Sequence, residues 1–218
     1  MSFQIAIDGP AGAGKSTIAK RVAKEKGFIY VDTGAMYRAM AYYLFKKGVP
    51  MEDEEAIGRE CGGADITIRY EQGEQIVLLN GENVNDVIRT QEVSQMASMS
   101  SKHPLVRQRL TQLQKELAST SDVVMDGRDI GTCVLPEADV KVYLTASVEV
   151  RAKRRYEELL AKNTVCDLGQ IKAEIAERDR QDMNREIAPL KQAKDAVLVD
   201  SSFMTVEEVA KKILELCR

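Results

Sequence analysis

Gly9-Pro10-Ala11-Gly12-Ala13-Gly14-Lys15-Ser16 follows an apolar run at residues 3–7 and precedes a helical pattern over residues 17–26. It fits the phosphate-loop pattern, in which Gly and four further residues are followed by Gly-Lys-Ser/Thr. Glycines let backbone N–H groups face phosphate oxygens with no Cβ in the way. The positive end of the following helix points at the same anion. The stretch therefore predicts a site for a nucleoside triphosphate.

Two side chains of this loop have chemical roles of their own. Lys15 supplies a mobile cation for the β- and γ-phosphates, and the Ser16 hydroxyl offers a ligand to Mg²⁺. We therefore expect a nucleoside triphosphate to be bound with Mg²⁺ by the residues of this stretch, namely Gly9, Pro10, Ala11, Gly12, Ala13, Gly14, Lys15, Ser16 and Thr17.

Composition limits the classes of partner. The chain has 218 residues, of which 44% are hydrophobic, enough for one globular unit with a core. Its net charge is −3, so no global basic excess favours binding of a nucleic-acid polymer. No apolar run approaches the length of about 18 residues that a membrane span needs. We expect small-molecule partners, no membrane and, by default, a monomer.

The cysteines indicate the compartment. Cys61, Cys133, Cys166 and Cys217 lie far apart and form no Cys-x-x-Cys pair. This argues against a zinc site and against a disulfide framework, and it suits a reducing cytosol. The first residues run directly into the first predicted strand, so no cleavable leader is expected. The sequence predicts a cytoplasmic protein.

Strand and helix patterns alternate along most of the chain, which predicts a parallel sheet covered by helices. We expect a three-layer α/β/α fold of the P-loop NTPase class, with five parallel strands near residues 3–7, 28–31, 122–126, 140–144 and 196–199. The predicted helices lie near residues 17–26, 35–47, 93–101, 104–117, 147–160 and 171–184, with a last one opened by the capping box Thr205-x-x-Glu208.

Residues 51–100 break this alternation. Residues 66–70 alternate between apolar and polar, residues 75–79 are largely apolar, and Asn80-Gly81 is a strong two-residue hairpin signal. This segment predicts a small antiparallel insert that is separate from the parallel sheet.

Charged turns follow two further strands, where an open parallel sheet binds its ligands. They are Asp32-Thr33-Gly34, with Tyr37-Arg38 just beyond, and Asp126-Gly127-Arg128-Asp129. Asp126 is also a weak candidate for a Walker-B aspartate. The alternative interpretation of the second turn is a polar turn without a role in ligand binding.

A late charged helix adds Arg178, Asp182 and Arg185, whose spacing of four and three places them on one helix face. A solvated face with salt bridges is the alternative interpretation. Several arginines near a phosphate loop are, however, what transfer between two anions requires. Spacing alone leaves a P-loop phosphotransferase and an NTPase both open.

The sequence resembles the bacterial cytidylate kinases, members of the nucleoside monophosphate kinases, over nearly its whole length. The resemblance rests on five ordered motifs: residues 7–16, Asp32-Thr-Gly-Ala-Met-Tyr-Arg38, Ile88-Arg-Thr-Gln-Glu-Val93, Asp126-Gly-Arg-Asp-Ile-Gly-Thr132, and Glu177-Arg-Asp-Arg-Gln-Asp-Met-Asn-Arg185 with Ala188-Pro-Leu190. It implies transfer of phosphate from ATP to CMP or dCMP with Mg²⁺.

The resemblance also implies a single kinase unit with three parts. The core would comprise residues 1–50, 103–150 and 190–218, the acceptor-binding insert would span about 51–102, and a mobile helical lid about 151–189. Arg151, Arg154 and Arg155 in the lid are candidates to reach the donor phosphates, Arg155 above all. A solvated position for these arginines is the alternative.

Acceptor contacts are implied position by position. Base contacts fall on Thr33, Arg107 and Asp129, phosphate contacts on Arg38, Arg128 and Arg185, sugar contacts on Arg178 and Asp182, and Tyr37 accompanies Arg38. Lys15, Arg128 and Arg185 would be catalytic. Relatives often have serine at the position of Thr33, so this chain keeps the hydroxyl and adds a methyl group. Arg109 lies two residues from Arg107 in the same predicted helix.

The base site would favour cytosine. A carboxylate at Asp129 accepts from the exocyclic amine, and a guanidinium at Arg107 donates to N3 and O2. Uracil would leave buried groups unpaired at about 1–3 kcal/mol each. Two rival functions remain at this level: a small P-loop kinase with a non-nucleotide acceptor, and a regulatory ATP-binding switch without an acceptor.

Overall fold

The computed structural model describes residues 2–71 and 73–217. In chain order its first elements are β1 (Gln4–Asp8), α1 (Lys15–Lys26), β2 (Ile29–Asp32), α2 (Thr33–Lys46), α3 (Glu54–Glu60), β3 (Ile66–Glu71), β4 (Glu74–Leu79) and β5 (Glu82–Asn83). The remainder are α4 (Gln91–Ser100), α5 (Pro104–Thr120), β6 (Val123–Gly127), β7 (Val140–Thr145), α6 (Val148–Ala161), α7 (Leu168–Asn184), β8 (Val197–Asp200) and α8 (Val206–Leu216). Short 3₁₀ turns lie at Cys61–Gly63 and Val87–Arg89, and a π-helical turn lies at Ile130–Val134.

The chain forms two compact units. One contains the residues up to Tyr30 together with those from Ser121 onward, and the other contains Val31–Thr120. The second unit therefore includes α2 and α5 as well as the predicted insert. The division into core, insert and lid at the predicted boundaries stays a prediction.

A five-stranded parallel sheet in the order β2-β6-β1-β7-β8 organises the first unit, as predicted. β1 is central, with Ile5 beside Val124 on one neighbour and Val140 on the other. The predicted strand positions are confirmed to within a residue or so. Because all strands run in one direction, their carboxyl ends define a single edge.

Helices α1 and α8 cover the sheet with apolar faces. On α1 the buried positions are Lys15, Ile18, Ala19, Val22 and Ala23, which is the spacing of one helix stripe. They join the strand residues in one core that also includes Val209 and Ile213 of α8. The predicted capping box is present, since the Thr205 side chain accepts from the Glu208 N–H and the Glu208 carboxylate from the Thr205 N–H.

The second unit contains an antiparallel sheet in the order β3-β4-β5. Ile66 pairs with Leu79, and Leu79 pairs in turn with Glu82 across the predicted hairpin turn. Asn80 and Gly81 both have left-handed backbone, with φ of 51° and 84°, as a type I′ turn requires. The hairpin prediction is confirmed.

Four helices begin earlier than the patterns predicted, by two or three residues. α4 begins at Gln91 because the Thr90 hydroxyl accepts from the Val93 N–H at 3.2 Å. α2 begins at Thr33 because the Asp32 carboxylate accepts from the Ala35 N–H at 2.8 Å. α7 begins at Leu168 because Asp167 caps it at Gln170, 2.7 Å away. α1 begins at Lys15, with Gly14 as its N-cap. These starts are set by caps, which apolar periodicity does not detect.

Across the described residues, 2–71 and 73–217, no helix combines the length and the apolar character that crossing a bilayer requires.

Candidate functional site

The phosphate loop connects the carboxyl end of β1 to the N-terminus of α1, as the motif requires. Gly14 caps the helix with φ of 87°, a conformation that residues with a Cβ rarely adopt. At Gly9 a Cβ would overlap the carbonyl oxygen of Leu144 on β7. Glycine is thus required once for conformation and once for close packing.

Carbonyl oxygens of the loop accept hydrogen bonds from side chains around it. Pro10 O accepts from Lys15 Nζ at 2.7 Å, and Ala11 O accepts from Arg151 Nη1 at 2.9 Å. Ala13 O accepts from Ser201 Oγ at 3.5 Å. These oxygens are neutralised by donors, which reduces their repulsion of an anion at the helix N-terminus.

Lys15 is buried, with 6% of its surface exposed. Burial and, after it, the charge of the Arg128 guanidinium lower the pKa of its ammonium to about 7, although Asp126, Asp8 and Asp182 oppose the shift. A triphosphate would supply the negative charge that favours the ammonium form. The lysine is therefore poised to bind an anion.

Ser16 and Asp126 form an oxygen pair beside the loop. Ser16 Oγ donates to Asp126 Oδ2 at 2.9 Å, and Tyr30 donates to the other carboxylate oxygen at 2.8 Å. A hydroxyl and a carboxylate are hard oxygen ligands, which suit a divalent cation that also takes phosphate oxygens. The sequence predicts Ser16 as a metal ligand and Asp126 only as a weak Walker-B candidate. The structure brings the two together.

A cavity of about 410 Å³ opens over the loop and α6. Its lining includes the three candidate arginines and is formed by Gly12, Gly14, Lys15, Ser16, Thr17, Arg151, Arg154, Arg155 and Glu158. Phosphate-loop amides and cations surround one space, which is what binding of a polyphosphate needs.

The three arginines of α6 differ in their partners. Arg151 is buried and bonds the Asp179 carboxylate of α7 at 2.6 and 3.1 Å. Arg154 bonds the carbonyl oxygen of Ser201 at 2.7 Å. Arg155 is about half exposed and bonds Glu158 at 2.8 Å. The solvated alternative is therefore wrong for Arg151, whose burial the sequence pattern did not reveal.

Asp8, at the end of β1, anchors the segment that carries Asp129. Its carboxylate accepts from the N–H groups of Ile130 at 2.8 Å and Gly131 at 2.7 Å. Burial raises its pKa to about 6, and the two backbone hydrogen bonds oppose that rise. The sequence pattern indicates no role for the Asp8 side chain, because its partners lie more than a hundred residues away.

A group of guanidinium and carboxylate side chains is formed by the turn after β6 and the end of α7. Arg128 Nε donates to Asp182 at 2.8 Å, and Arg185 lies 3.4 Å from Asp129 and 4.0 Å from Asp182. Burial raises the pKa of Asp182, but the charge of Arg128 and its hydrogen bond outweigh this and lower it.

Arg178, Asp182 and Arg185, which were predicted to share one helix face, differ in burial. Asp182 is buried and Arg185 largely so, whereas Arg178 is exposed. A solvated face is therefore wrong for the first two. Arg178 still acts on Asp182 through its charge, which helps to lower the pKa of that carboxyl.

The second unit holds the other predicted acceptor residues. Thr33 is buried in the first turn of α2, and Arg38 bonds Asp32 at 3.2 Å. Arg107 is 5% exposed and its guanidinium lies 5.5 Å from the centre of the Tyr37 ring. Arg109 is exposed. Burial thus distinguishes Arg107 from its neighbour, which sequence spacing did not.

A parallel sheet whose first strand leads through a phosphate loop with a buried lysine defines a P-loop protein of the kinase and NTPase class. The fold is similar to that of a shikimate kinase from Bacteroides thetaiotaomicron, with a TM-score of 0.50 and 13% identity over 99% of this chain and 98% of the other. That likeness concerns the fold alone.

Sequence comparison supplies the family. The model of the family described as cytidylate kinase matches residues 5–218. The chain is 54% identical to a cytidylate kinase from Listeria innocua serovar 6a, over 97% of this chain and 94% of that protein. It is 51% identical to a cytidylate kinase from Geobacillus kaustophilus, over 98% and 96%. The protein belongs to the cytidylate kinase family.

Proposed function

We propose that the protein transfers the γ-phosphoryl group of ATP to CMP or dCMP, giving ADP and CDP or dCDP in pyrimidine nucleotide metabolism. The observation that carries the proposal is the family match over residues 5–218. The geometry adds a phosphate loop with a buried lysine and a separate group of arginines with carboxylate partners. Cytoplasmic location and the monomeric state stay predictions.

ATP is the donor at the phosphate loop in this proposal. The loop amides and Lys15 hold its phosphates, and Arg155 at the edge of the cavity exchanges Glu158 for a phosphate. Ser16 and Asp126 would hold Mg²⁺, directly or through water, because they present oxygen ligands. The ion would neutralise charge on the β- and γ-phosphates.

The acceptor residues keep the roles that the resemblance implies. Arg38, Arg128 and Arg185 bind the phosphate of CMP, and each guanidinium already has one carboxylate partner that holds it in place. The remaining contacts are with sugar and base, from Arg178, Asp182, Thr33, Tyr37, Arg107 and Asp129.

The chemical step needs no general base. An oxygen of the CMP phosphate, ionised near neutral pH, attacks the γ-phosphorus, and the bond from that phosphorus to the bridging oxygen of ADP breaks. Lys15, Arg128 and Arg185 place cations around the oxygens on which charge is redistributed. Catalysis is then positioning and electrostatic stabilisation.

Base choice follows from hydrogen-bond polarity. Asp129 and Arg107 are both buried, so a mismatched base leaves a group unpaired at about 1–3 kcal/mol each. We expect kcat/KM for CMP to exceed that for UMP by tenfold or more, since 1.4 kcal/mol corresponds to tenfold. Equal values for the two nucleotides would contradict these base contacts.

The test of the function is a panel assay of ADP formation from ATP with CMP, dCMP, UMP, AMP, TMP and shikimate as acceptors. The proposal expects fast turnover with CMP or dCMP alone. Preference for shikimate would indicate a non-nucleotide kinase, and slow hydrolysis that no acceptor changes would indicate an ATP-binding switch. Either result would overturn the proposal.

A further inference from the structure

The antiparallel insert reaches the start of α2 through one side chain. Gln75 on β4 accepts a hydrogen bond from the Asp32 N–H at 2.8 Å and donates one to the Asp32 carbonyl at 3.4 Å. The side-chain amide of Gln75 thus bonds both the backbone N–H and the backbone carbonyl of Asp32, as a neighbouring strand would. All of these atoms belong to the second compact unit.

Asp32 contacts the segment of α2 that carries the predicted acceptor residues. Its carboxylate caps the helix at Ala35, 2.8 Å away, and bonds Arg38 at 3.2 Å. Arg89, in the motif to which no role was assigned, lies 3.8 Å from the same carboxylate. A shift of Asp32 would therefore move the start of α2, which includes Thr33. It would also move the carboxylate that pairs with Arg38 and Arg89.

Gln75 is itself held firmly. Its backbone pairs with Tyr70 across β3 and β4. Asn85 donates to the carbonyl oxygen of Gln75 at 2.8 Å and accepts from the N–H of Val77 at 3.0 Å. The amide that reaches Asp32 thus projects from a strand supported on both sides, so it can act as a fixed reference for the turn.

The turn has little room for adjustment. A Cβ on Gly34 would lie 3.2 Å from Arg38 Nη1 and 3.2 Å from Asp32 Oδ1. Arg38 Nε is buried and has no partner among the described residues. An unpaired buried donor is costly unless something binds it, so the guanidinium is held in place ready for an anion.

We propose that Gln75 is a positioning residue for the acceptor: it fixes Asp32, and through Asp32 it sets Thr33 and Arg38 for CMP. This rests on the proposed function and adds to it a task for the insert. Gln75 does not touch the acceptor itself. Its loss weakens use of CMP while ATP binding at the phosphate loop is unchanged.

The experiment compares Gln75→Leu, which removes both hydrogen bonds at similar volume, with Gln75→Glu, which keeps an acceptor for the Asp32 N–H. The matched control is Gln112→Leu on α5, where an exposed amide bonds Glu116. We expect Gln75→Leu to raise KM for CMP about tenfold, Gln75→Glu to raise it less, and both to keep KM for ATP within about twofold. The control should match wild type.

A purely structural role would lower the thermal midpoint or change both KM values together, and that result would overturn the proposal, as would an unchanged KM for CMP. Hydrogen exchange gives a readout that does not need turnover. The Asp32 amide should exchange faster in Gln75→Leu, and unchanged exchange would also overturn it. If the wild-type protein does not use CMP as an acceptor, that result contradicts the proposed function. The hydrogen-exchange rate of the Asp32 amide still tests the role of Gln75 in that case.

Discussion

Arg151 and Asp179 form a buried ion pair that links α6 to α7, with the two guanidinium nitrogens 2.6 and 3.1 Å from the carboxylate. The same guanidinium donates to the carbonyl oxygen of Ala11 at 2.9 Å. One side chain therefore contacts the phosphate loop and the helix that carries Asp182. Both charges are fully compensated as long as both partners are present.

Removing one partner should cost much more stability than removing both. Arg151→Met leaves a buried carboxylate unpaired, and we expect it to lower the free energy of unfolding by about 3–5 kcal/mol. The double variant Arg151→Met, Asp179→Leu should recover most of that loss, because a well-packed apolar pair avoids the desolvation cost. Urea denaturation of the single and double variants measures the difference.

The control is the exposed pair of Lys172 and Glu149, which joins the same two helices at 2.6 Å. Lys172→Met should cost at most about 1 kcal/mol, since exposed ion pairs contribute little. Equal losses at the two pairs would contradict the view that burial of Arg151 decides the effect.

Lys15 is expected to matter for turnover rather than for folding. Because burial lowers the pKa of its ammonium to about 7, Lys15→Met removes a charge that is costly to bury and should leave stability intact. The variant loses a cation at the transferred phosphate, so we expect kcat to fall about 100-fold or more. CMP affinity, measured by calorimetry, should change less than about threefold.

Lys24→Met supplies the matched control, because Lys24 lies on an exposed position of the same helix. It should turn over at the wild-type rate. Near-normal turnover of Lys15→Met would be inconsistent with a role of Lys15 at the donor phosphates.

Much of this arrangement was predictable from local sequence. The strand and helix patterns and the phosphate-loop residues require only neighbours in the chain. They predicted a loop between β1 and α1, and the structure has Lys15 and Ser16 in the first turn of α1. The Asn80-Gly81 turn was predictable for the same reason, because its left-handed backbone is a property of two residues.

Contacts between distant residues were not predictable. Arg151 and Arg155 share a helix face, and the same spacing fits a solvated side chain and a buried one, so the partner Asp179 could not be inferred. Gln75 lies 43 residues from Asp32, just before the apolar residues 76–79 of its strand, and nothing in the pattern marks it for a polar contact. Such pairs depend on tertiary packing, which periodicity does not encode.

Asp8 should give stability an unusual dependence on pH. Its pKa is raised from 3.8 to about 6, mainly by burial. Between these values the folded protein binds a proton that the unfolded chain does not, so this contribution is full below about pH 4 and is lost as pH rises through 6. The shift of about two units corresponds to about 3 kcal/mol.

Asp8→Asn isolates that contribution, because asparagine does not titrate. The comparison with a variant is needed because other carboxylates, such as Asp182 with its lowered pKa, make stability rise with pH instead. The difference in unfolding free energy between wild type and the variant should be larger at pH 4 and smaller by about 2–2.5 kcal/mol at pH 7. A difference that is constant across this range would show that Asp8 is not protonated in the folded protein near pH 5.

The last prediction concerns the base contact and uses two arginines on one helix. Arg107 is buried, donates to the carbonyl oxygen of Ser101 at 3.3 Å and lies over the Tyr37 ring, whereas Arg109 is exposed. If Arg107 donates to N3 and O2 of cytosine, Arg107→Met should lower kcat/KM for CMP by about 10- to 150-fold, since a charged hydrogen bond contributes about 1.5–3 kcal/mol. Arg109→Met removes an equal charge two residues away and should stay within about twofold of wild type.

The discrimination between CMP and UMP should also shrink in Arg107→Met alone, because only a contact to the base edge distinguishes the two nucleotides. Parallel steady-state kinetics with both acceptors measure this, and an equal loss in the two variants would assign the effect to charge near the site rather than to recognition of the base.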